Sequence, residues 1–269
     1  MNEKIINKLK EVIELLETVP SEPEVTKFDF GDGKGLVPAH KHPNGGGWVA
    51  ETASVEGSVS VGPKARVFGT AQVFGDAWVF DYAKVYGNAL VYGDARVYGN
   101  ARVSGDAQVY GNTQVYGTSR VSGDALVYNT AWVCGDARVS GDAKVYGDAL
   151  VYGNARVSGN AKVYGNARVC GNALVSGNAR VYGNALVSGN AQVYGDAWVF
   201  GNAQVSDGAR VSGNSKVSGN AKVFDYAKVY GNALVSALVY GNARVSGDAK
   251  VSSNAQVYGT AYVSDGVIL

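Results

Sequence analysis

The sequence predicts an all-β protein, a solenoid of short parallel strands, on the strength of its repeat and its composition. Valine stands at every sixth position from Val49 to Val235, 32 times in succession, in units of the form Ala-x-Val-Tyr/Ser-Gly-Asn/Asp. A fixed short repeat is typical of solenoids, in which each unit packs on its neighbours. The 37 glycines, together with abundant valine, alanine and tyrosine, suit strands joined by tight turns.

Residues 1–19 are the first predicted element, a short amphipathic α-helix. Ile5, Leu9, Val12 and Leu16 recur at steps of three and four and form one apolar stripe. Two prolines follow soon afterwards and end the helix. A helix of this length is marginal alone, so its stripe should be buried. It either covers an end of the solenoid or forms a short coiled coil between subunits.

Residues 20–47 are predicted to form an irregular connector or cap, because they hold four prolines and the run Gly45-Gly46-Gly47. The two histidines of the chain, His40 and His42, lie in this segment. Two imidazoles without a nearby cluster of cysteines or carboxylates are a weak signal for a metal. We therefore predict no metal site and no cofactor.

Residues 48–235 are predicted to form the regular β-helix, and strand alternation assigns its inside and outside. Alanine and valine stand two residues apart, so both point to one side, and only they are uniformly small and apolar. They should fill the interior. The residue before each valine and the tyrosine or serine after it should face solvent, with Gly-Asn/Asp at the corner.

The repeat resembles that of the hexapeptide-repeat proteins, in which a small residue precedes an aliphatic one by two positions, as in Asn154-Ala155-Arg156-Val157. The similarity extends from residue 48 to residue 263. It implies a left-handed parallel β-helix with three faces and 18 residues per coil. The segment Gly45-Gly46-Gly47-Trp48-Val49 also resembles the start of a subgroup of bacterial and phage proteins labelled transferases.

With 18 residues per coil, the first face carries a predicted basic ladder, and we name it the basic face. Eight of ten residues before valine there are cationic, which makes this face a candidate binding site. We expect the corner residues Asp106, Asp124 and Asp142 to neutralise it internally, the alternative being a track for nucleic acid or an acidic polysaccharide. The ladder consists of Arg66, Lys84, Arg102, Arg120, Arg138, Arg156, Arg210 and Lys228.

The second face carries eight consecutive rings after its valines, and we name it the aromatic face. Rings in register at roughly 4.8 Å should stack along the solenoid and stabilise it. A flat aromatic strip is also a candidate docking surface for another subunit, a partner protein or a carbohydrate. The rings are Phe74, Tyr92, Tyr110, Tyr128, Tyr146, Tyr164, Tyr182 and Phe200.

The third face has a mixed set of residues after its valines, and we name it the mixed face. It contains both cysteines of the chain, Cys134 and Cys170, which lie 36 residues apart. Two coils separate them by nearly 10 Å, too far for an unstrained disulfide. Both are therefore predicted to be free thiols.

Residues 236–269 are predicted to form the final coils after a two-residue corner deletion. The Gly-Asn pair is absent between Val235 and Val239, so the corner is either tightened or the chain leaves the prism. Arg244-Val245-Ser246 matches the basic-Val-Ser pattern of the basic face, which favours a tightened corner with the same prism continuing.

The function predicted from these features is that of a rigid, non-catalytic scaffold or binding protein that self-associates through the aromatic face or the helix. One alternative is a hexapeptide-type acyltransferase. Its resemblance implies a histidine as general base near the prism, but no histidine follows His42. The other alternative is polyanion binding along the basic face.

The expected partners are a second copy of the chain and, beyond it, a protein or polymer. The formal net charge of +1 provides no global field for nucleic acid or a membrane surface. No run of 18 apolar residues occurs, so we expect no membrane span. A cytoplasmic or phage-encoded soluble protein is the expected setting.

Overall fold

The computed structural model describes residues 26–269 together with Glu3, Lys8 and Lys10. Apart from those three positions, the predicted helix of residues 1–19 lies outside the described residues, as do residues 20–25. In the described part, strands of two to six residues follow one another, most of them at six-residue spacing. No helix there has the length and apolar character needed to cross a lipid bilayer.

The strands of the described part are numbered β1 to β40 in chain order. The strands are Lys27–Asp29, Leu36–Lys41, Trp48–Ala50, Ser54–Val55, Ser60–Val61, Arg66–Val67, Gln72–Val73, Trp78–Val79, Lys84–Val85, Leu90–Tyr92, Arg96–Val97, Arg102–Val103, Gln108–Tyr110, Gln114–Val115, Arg120–Val121, Leu126–Val127, Trp132–Val133, Arg138–Val139, Lys144–Val145, Leu150–Val151, Arg156–Val157, Lys162–Val163, Arg168–Val169, Leu174–Val175, Arg180–Val181, Leu186–Val187, Gln192–Val193, Trp198–Val199, Gln204–Val205, Arg210–Val211, Lys216–Val217, Lys222–Val223, Lys228–Val229, Leu234–Val235, Leu238–Val239, Arg244–Val245, Lys250–Val251, Gln256–Val257, Tyr262–Val263 and Val267–Ile268.

Every third strand belongs to the same parallel sheet, and this makes three faces. The basic face joins β3 to β39, the aromatic face β4 to β40, and the mixed face β5 to β38. Through the regular part each valine pairs with the valine 18 residues further on, as Val127 does with Val145. The predicted solenoid of 18-residue coils is confirmed, with twelve strands on the mixed face and hence about twelve coils. Its left-handedness stays a prediction from the resemblance.

The interior is a single column of alanine and valine, as predicted from alternation. Nearly all of these side chains are fully buried, while the residues on either side of each valine are half-buried or exposed. Three alanine positions instead hold Thr113, Ser119 and Ser215, all buried. The hydroxyls of Ser119 and Ser215 donate to backbone oxygens, whereas Thr113 Oγ1 is buried without a partner in the described structure. An unpaired hydroxyl there is a local cost to stability.

The described part of residues 20–47, predicted as an irregular connector or cap, contains an antiparallel hairpin, so the irregular part of that prediction is wrong. Strand β1 pairs with β2, and β2 pairs antiparallel with β3, which extends the sheet of the basic face beyond the first coil. The hairpin lacks the six-residue repeat and is stabilised by a small separate core. Phe30, Ala39, Ala50 and Phe68 are buried together in that core. Packing of this cluster, rather than repetition, forms these strands.

The loop after β2 covers the backbone edge of the first coil. Gly47 N–H donates to the Val61 carbonyl at 2.9 Å, and Val61 N–H donates to the Asn44 carbonyl at 2.9 Å. A Cβ on Gly47 would lie 2.4 Å from the Gly62 oxygen, so only glycine permits this approach. The edge of the first coil on the mixed face is thus hydrogen-bonded to this loop.

The corner after Val235 is tightened, and the same three faces continue beyond it. Leu238 pairs with Lys222 on the mixed face, and Arg244 pairs with Lys228 on the basic face. Ser236 Oγ donates to the Val251 carbonyl at 3.3 Å, at the place where a corner glycine is missing. Because the loss of two residues preserves the inside-outside alternation, the coils after the deletion continue with the same residues facing inward.

Candidate binding faces

The eight rings of the aromatic face form one continuous stack, as the register predicted. Consecutive centroids lie 4.7–5.1 Å apart with interplanar angles of 8° or less. Seven such steps extend for roughly 34 Å along the solenoid. All but Phe74 are half-buried, because each ring covers its neighbours. The stack therefore stabilises the parallel strands, and its outer edges form a flat strip.

Burial also changes the ionisation of this strip. Desolvation is the largest cause of a raised pKa at each of six stacked phenols. They are Tyr92, Tyr110, Tyr128, Tyr146, Tyr164 and Tyr182. The cation of Arg180 opposes part of the rise at Tyr146, Tyr164 and Tyr182. At neutral pH the strip is therefore uncharged and partly apolar.

We expect the solenoid to lose stability as the pH rises above the ordinary tyrosine pKa of 10.0. Because the native pKa values are raised, the native state holds its phenolic protons more tightly than the unfolded chain. The stability present below pH 10 is thus lost as the pH rises through the native values. Ultraviolet titration of tyrosinate should show a class that ionises above pH 10 in the native protein and near 10 in denaturant. Identical curves would contradict the assignment.

The corner aspartates, which were expected to neutralise the basic face, form no ion pair with it in the described structure. Arg102, Arg120 and Arg138 are exposed, and the sole ion pair among residues 26–269 joins His40 Nδ1 to Glu51 Oε1 at 2.7 Å. The aspartates follow the arginines by four residues, past a corner glycine that turns the chain toward the next face. Direct internal neutralisation was therefore wrong.

Mutual repulsion is visible within the basic ladder. The pKa of Lys84 is lowered, first by burial and then by the charges of Arg66 and Arg102 on the coils before and after it. Arg66 differs from the others, since its guanidinium donates to the Phe30 carbonyl at 3.1 Å and lies over the Phe28 ring. The free part of the ladder therefore begins after the hairpin.

Near its other end the basic face borders a groove of about 240 Å³ around Tyr226, whose ring is 69% exposed. Arg210, Lys228 and Arg244 line this groove together with Asn242. Three cations around an accessible phenol ring form a local site of positive charge. The sequence predicted the cations but not the groove, which is also lined by Gly208 of the corner Asp207-Gly208 that stands in place of Gly-Asn.

The mixed face places the free cysteines beside tyrosines. Hydrogen bonding to Cys134, aided by burial, raises the pKa of Tyr116 to about 12. A hydrogen bond to Cys170 also raises the pKa of Tyr152. Tyr152 occupies the coil between the two cysteines, and both thiols are unbridged, as predicted.

The mixed face also carries a larger groove, which the sequence reasoning missed. It has a volume of about 540 Å³ and is centred on Trp132, whose side chain is 42% exposed. Like every residue before a valine, Trp132 was predicted only to face solvent. The sequence did hold a signal for it. The residues paired with Trp132 on the adjacent coils are Gln114 and Leu150, so no cation stands next to the indole in its column.

The two histidines occupy different environments. His40 lies half exposed beside Glu51, whereas His42 is buried, and its Nδ1 lies 3.3 Å from the Asn44 N–H, which donates to it. Among the described residues no group of three or more histidine, cysteine, aspartate or glutamate side chains is placed to hold a metal ion. These histidines contribute to the hairpin and its loop.

A model of one repeat family matches several parts of the chain. It is described as the YdcK beta solenoid repeat, and the matched residues lie in the regular coils and just after the tightened corner. The matches are residues 83–99, 95–111, 143–159, 149–165, 161–177, 167–181, 179–192, 191–207 and 237–253. A search of curated proteins gives no match.

Two solved structures show distant similarity. LpxA from Acinetobacter baumannii is 11% identical, with 67% of this chain and 72% of that chain covered and a TM-score of 0.43. A protein of Desulfovibrio desulfuricans G20 described as an acetyltransferase is 13% identical, with 77% of this chain and 57% of that chain covered and a TM-score of 0.20. The present chain thus spans little more than half the length of the second protein. The strand pairing defines the fold here without either of them.

Proposed function

This chain is a hexapeptide-repeat β-helix with repeats like those of the YdcK solenoid, and from that premise we propose that it is a rigid, non-catalytic binding rod that docks a second copy through its aromatic face. The observation that carries the proposal is the unbroken stack of eight rings. Each ring is already fixed by its neighbours, so docking on the strip costs little side-chain entropy. Uncharged aromatic strips of this kind are typical of protein interfaces.

The charges beside the stack favour an antiparallel pair of copies. On the aromatic face the residues before valine are uncharged toward one end of the ring stack and mostly cationic toward the other. In order they are Gln72, Leu90, Gln108, Leu126, Lys144, Lys162, Arg180 and Trp198. A parallel pair would oppose like charges. An antiparallel two-fold pair instead places the cations of one copy over the rings and leucines of the other. This arrangement avoids the repulsion between like charges and allows cation–π contacts.

Replacing Tyr128, Tyr146 and Tyr164 together by serine should convert the dimer to monomer and weaken association about 100-fold, because the centre of the strip is lost. Serine is compatible with these positions, since the basic face holds serine there in five consecutive coils. Sedimentation equilibrium measures the change. The control replaces Tyr98, Tyr116 and Tyr152 of the mixed face by serine and should leave the dimer intact.

Two outcomes would contradict this assignment. One is a wild-type chain that stays monomeric at high concentration. The other is a dimer that survives loss of the three rings but dissociates on removal of residues 1–19, which would place the interface on the N-terminal segment instead.

We propose polyanion binding along the basic face as a second candidate function, since Arg102, Arg120, Arg138 and Arg156 are exposed and have no acidic partner among residues 26–269. Cations in register at roughly 4.8 Å repel one another, and a linear polyanion would relieve that repulsion. The spacing suits a chain of sulfates or phosphates laid along the rod. Binding of this kind releases counterions and weakens with salt.

Changing Arg120 and Arg138 to glutamine should lower the salt concentration for elution from heparin and reduce the salt slope of binding by about two. Glutamine already occupies this column at Gln192. The control, Lys144→Gln with Lys162→Gln, removes the same charge from the aromatic face and should elute later than the arginine variant. Equal elution of the two variants would show that only net charge matters.

A further inference from the structure

Trp132 differs from the other three tryptophans in having no partner over its ring in the described structure. Trp48 stacks on Phe28 at 4.3 Å. Trp78 is covered by Arg96 at 5.1 Å. Trp198 has two cations over its ring, from the coils before and after it, each 4.8 Å from the ring centroid.

The one aromatic contact of Trp132 is an edge contact with Tyr116, with centroids 6.4 Å apart and an interplanar angle of 71°. Its column neighbours, Gln114 and Leu150, place no charge on its face. Trp132 is 42% exposed and opens into the groove of about 540 Å³ described above. An indole surface is thus available to a ligand inside a concave site.

The groove presents both hydrogen-bond donors and acceptors around that surface. The Gln114 oxygen accepts from the Tyr98 hydroxyl, which leaves the Gln114 amide hydrogens free. The Asn166 amide donates to the next coil, which leaves its oxygen free. The Thr130 hydroxyl donates to one carboxylate oxygen of Asp148 at 2.5 Å, which leaves the other oxygen free. Arg168 is exposed and forms no ion pair among residues 26–269.

This combination fits a neutral sugar chain better than other ligands. A pyranose ring has an apolar C–H face that can pack on indole and hydroxyls that both donate and accept. The charges of Asp148 and Arg168 balance, so a phosphate or sulfate polymer gains nothing and meets a carboxylate. A fatty acyl chain would leave the polar groups unpaired at a cost.

The lining residues come from four consecutive coils, so the groove extends roughly 14 Å along the solenoid. That length suits a short oligosaccharide lying parallel to the rod. We propose that the mixed face binds a neutral oligosaccharide in this groove, with Trp132 as the stacking platform. The site is separate from the aromatic and basic faces and does not depend on either proposed function.

The test applies the full chain to an array of neutral oligosaccharides of glucose, galactose, mannose and N-acetylglucosamine, with heparin and oligothymidylate as further probes. Binding of the best ligand to each variant is then measured by isothermal titration calorimetry, which does not depend on the tryptophan that is replaced. Trp132→Ala should weaken binding at least about 10-fold, because the stacking surface is lost. Trp132→Phe should keep most of the affinity, since it keeps a ring.

Trp78→Ala is the matched control, because Trp78 occupies the same strand position on the same face but is covered by Arg96. It should leave binding within about two-fold of wild type. Circular dichroism confirms that each variant is folded. The proposal is overturned if no neutral oligosaccharide binds, if the two alanine variants lose affinity equally, or if oligothymidylate or heparin is the ligand that Trp132→Ala releases.

Discussion

Replacing Val145 by aspartate is expected to destabilise the solenoid by about 4 kcal/mol or more. Val145 is fully buried and pairs in register with Val127 and Val163. An ionised carboxylate there would have no partner in a column filled by valine and alanine. Neutralising it requires a strongly raised pKa, which itself costs stability.

The effect should also change how the protein unfolds. Each coil contacts mainly the coil before and after it, so a broken coil separates the rod into two stretches. Guanidinium unfolding followed by circular dichroism should therefore lose its single transition and show an early phase. Ser140→Asp, an outward substitution near Arg138, should stay within about 0.5 kcal/mol of wild type. A Val145→Asp protein that unfolds like wild type would contradict the assignment of this column as the dry interior.

Replacing Gly147 by valine is expected to cost about 3 kcal/mol or more. Gly147 has φ +70°, a conformation that β-branched residues avoid, and a Cβ there would lie 3.0 Å from the Gly165 nitrogen. The valine must therefore either force the turn out of shape or press apart two coils. Either change should extend to the neighbouring coils, because the corner residues of successive coils lie directly against one another.

Gly147→Asn is the matched control, because the coil before it holds Asn129 at the same corner with φ +63°. Asparagine tolerates this region of the backbone, so its cost should be only about 1 kcal/mol. Thermal unfolding of the two variants measures the difference. Equal losses would mean that the Cβ contact with the next coil, rather than backbone conformation, determines the requirement for glycine.

Much of the fold could be predicted because the repeat fixes each residue's neighbours. When Val127 pairs with Val145, Tyr128 must lie beside Tyr146, so the ring stack followed from register alone. The free thiols followed from the same count of coils. The hairpin could not be predicted in this way, since Phe28 and Phe30 belong to no repeat and find Trp48 and Phe68 only in three dimensions.

The candidate sites were predicted less completely than the fold. The residues of the basic face were in place, but Asp106, Asp124 and Asp142 do not neutralise them by direct ion pairs. Proximity in sequence does not bring side chains together around a corner. The Trp132 groove was missed because its opening depends on which neighbours cover the indole. Trp78 and Trp132 stand at equivalent positions, yet only Trp78 has an arginine over its ring.

The sequence by itself determined the six-residue unit and the dry interior, and the 18-residue coil implied by the resemblance then divided the outside into basic, aromatic and mixed faces. It could do so because a strict period makes contacts between coils as regular as contacts along a helix. Only the tertiary structure decided how the hairpin pairs with the first coil, which cations remain unpaired and whether a neighbouring cation lies over a given tryptophan ring. Those depend on the directions of individual side chains and on packing between segments without a repeat, and no periodicity specifies either.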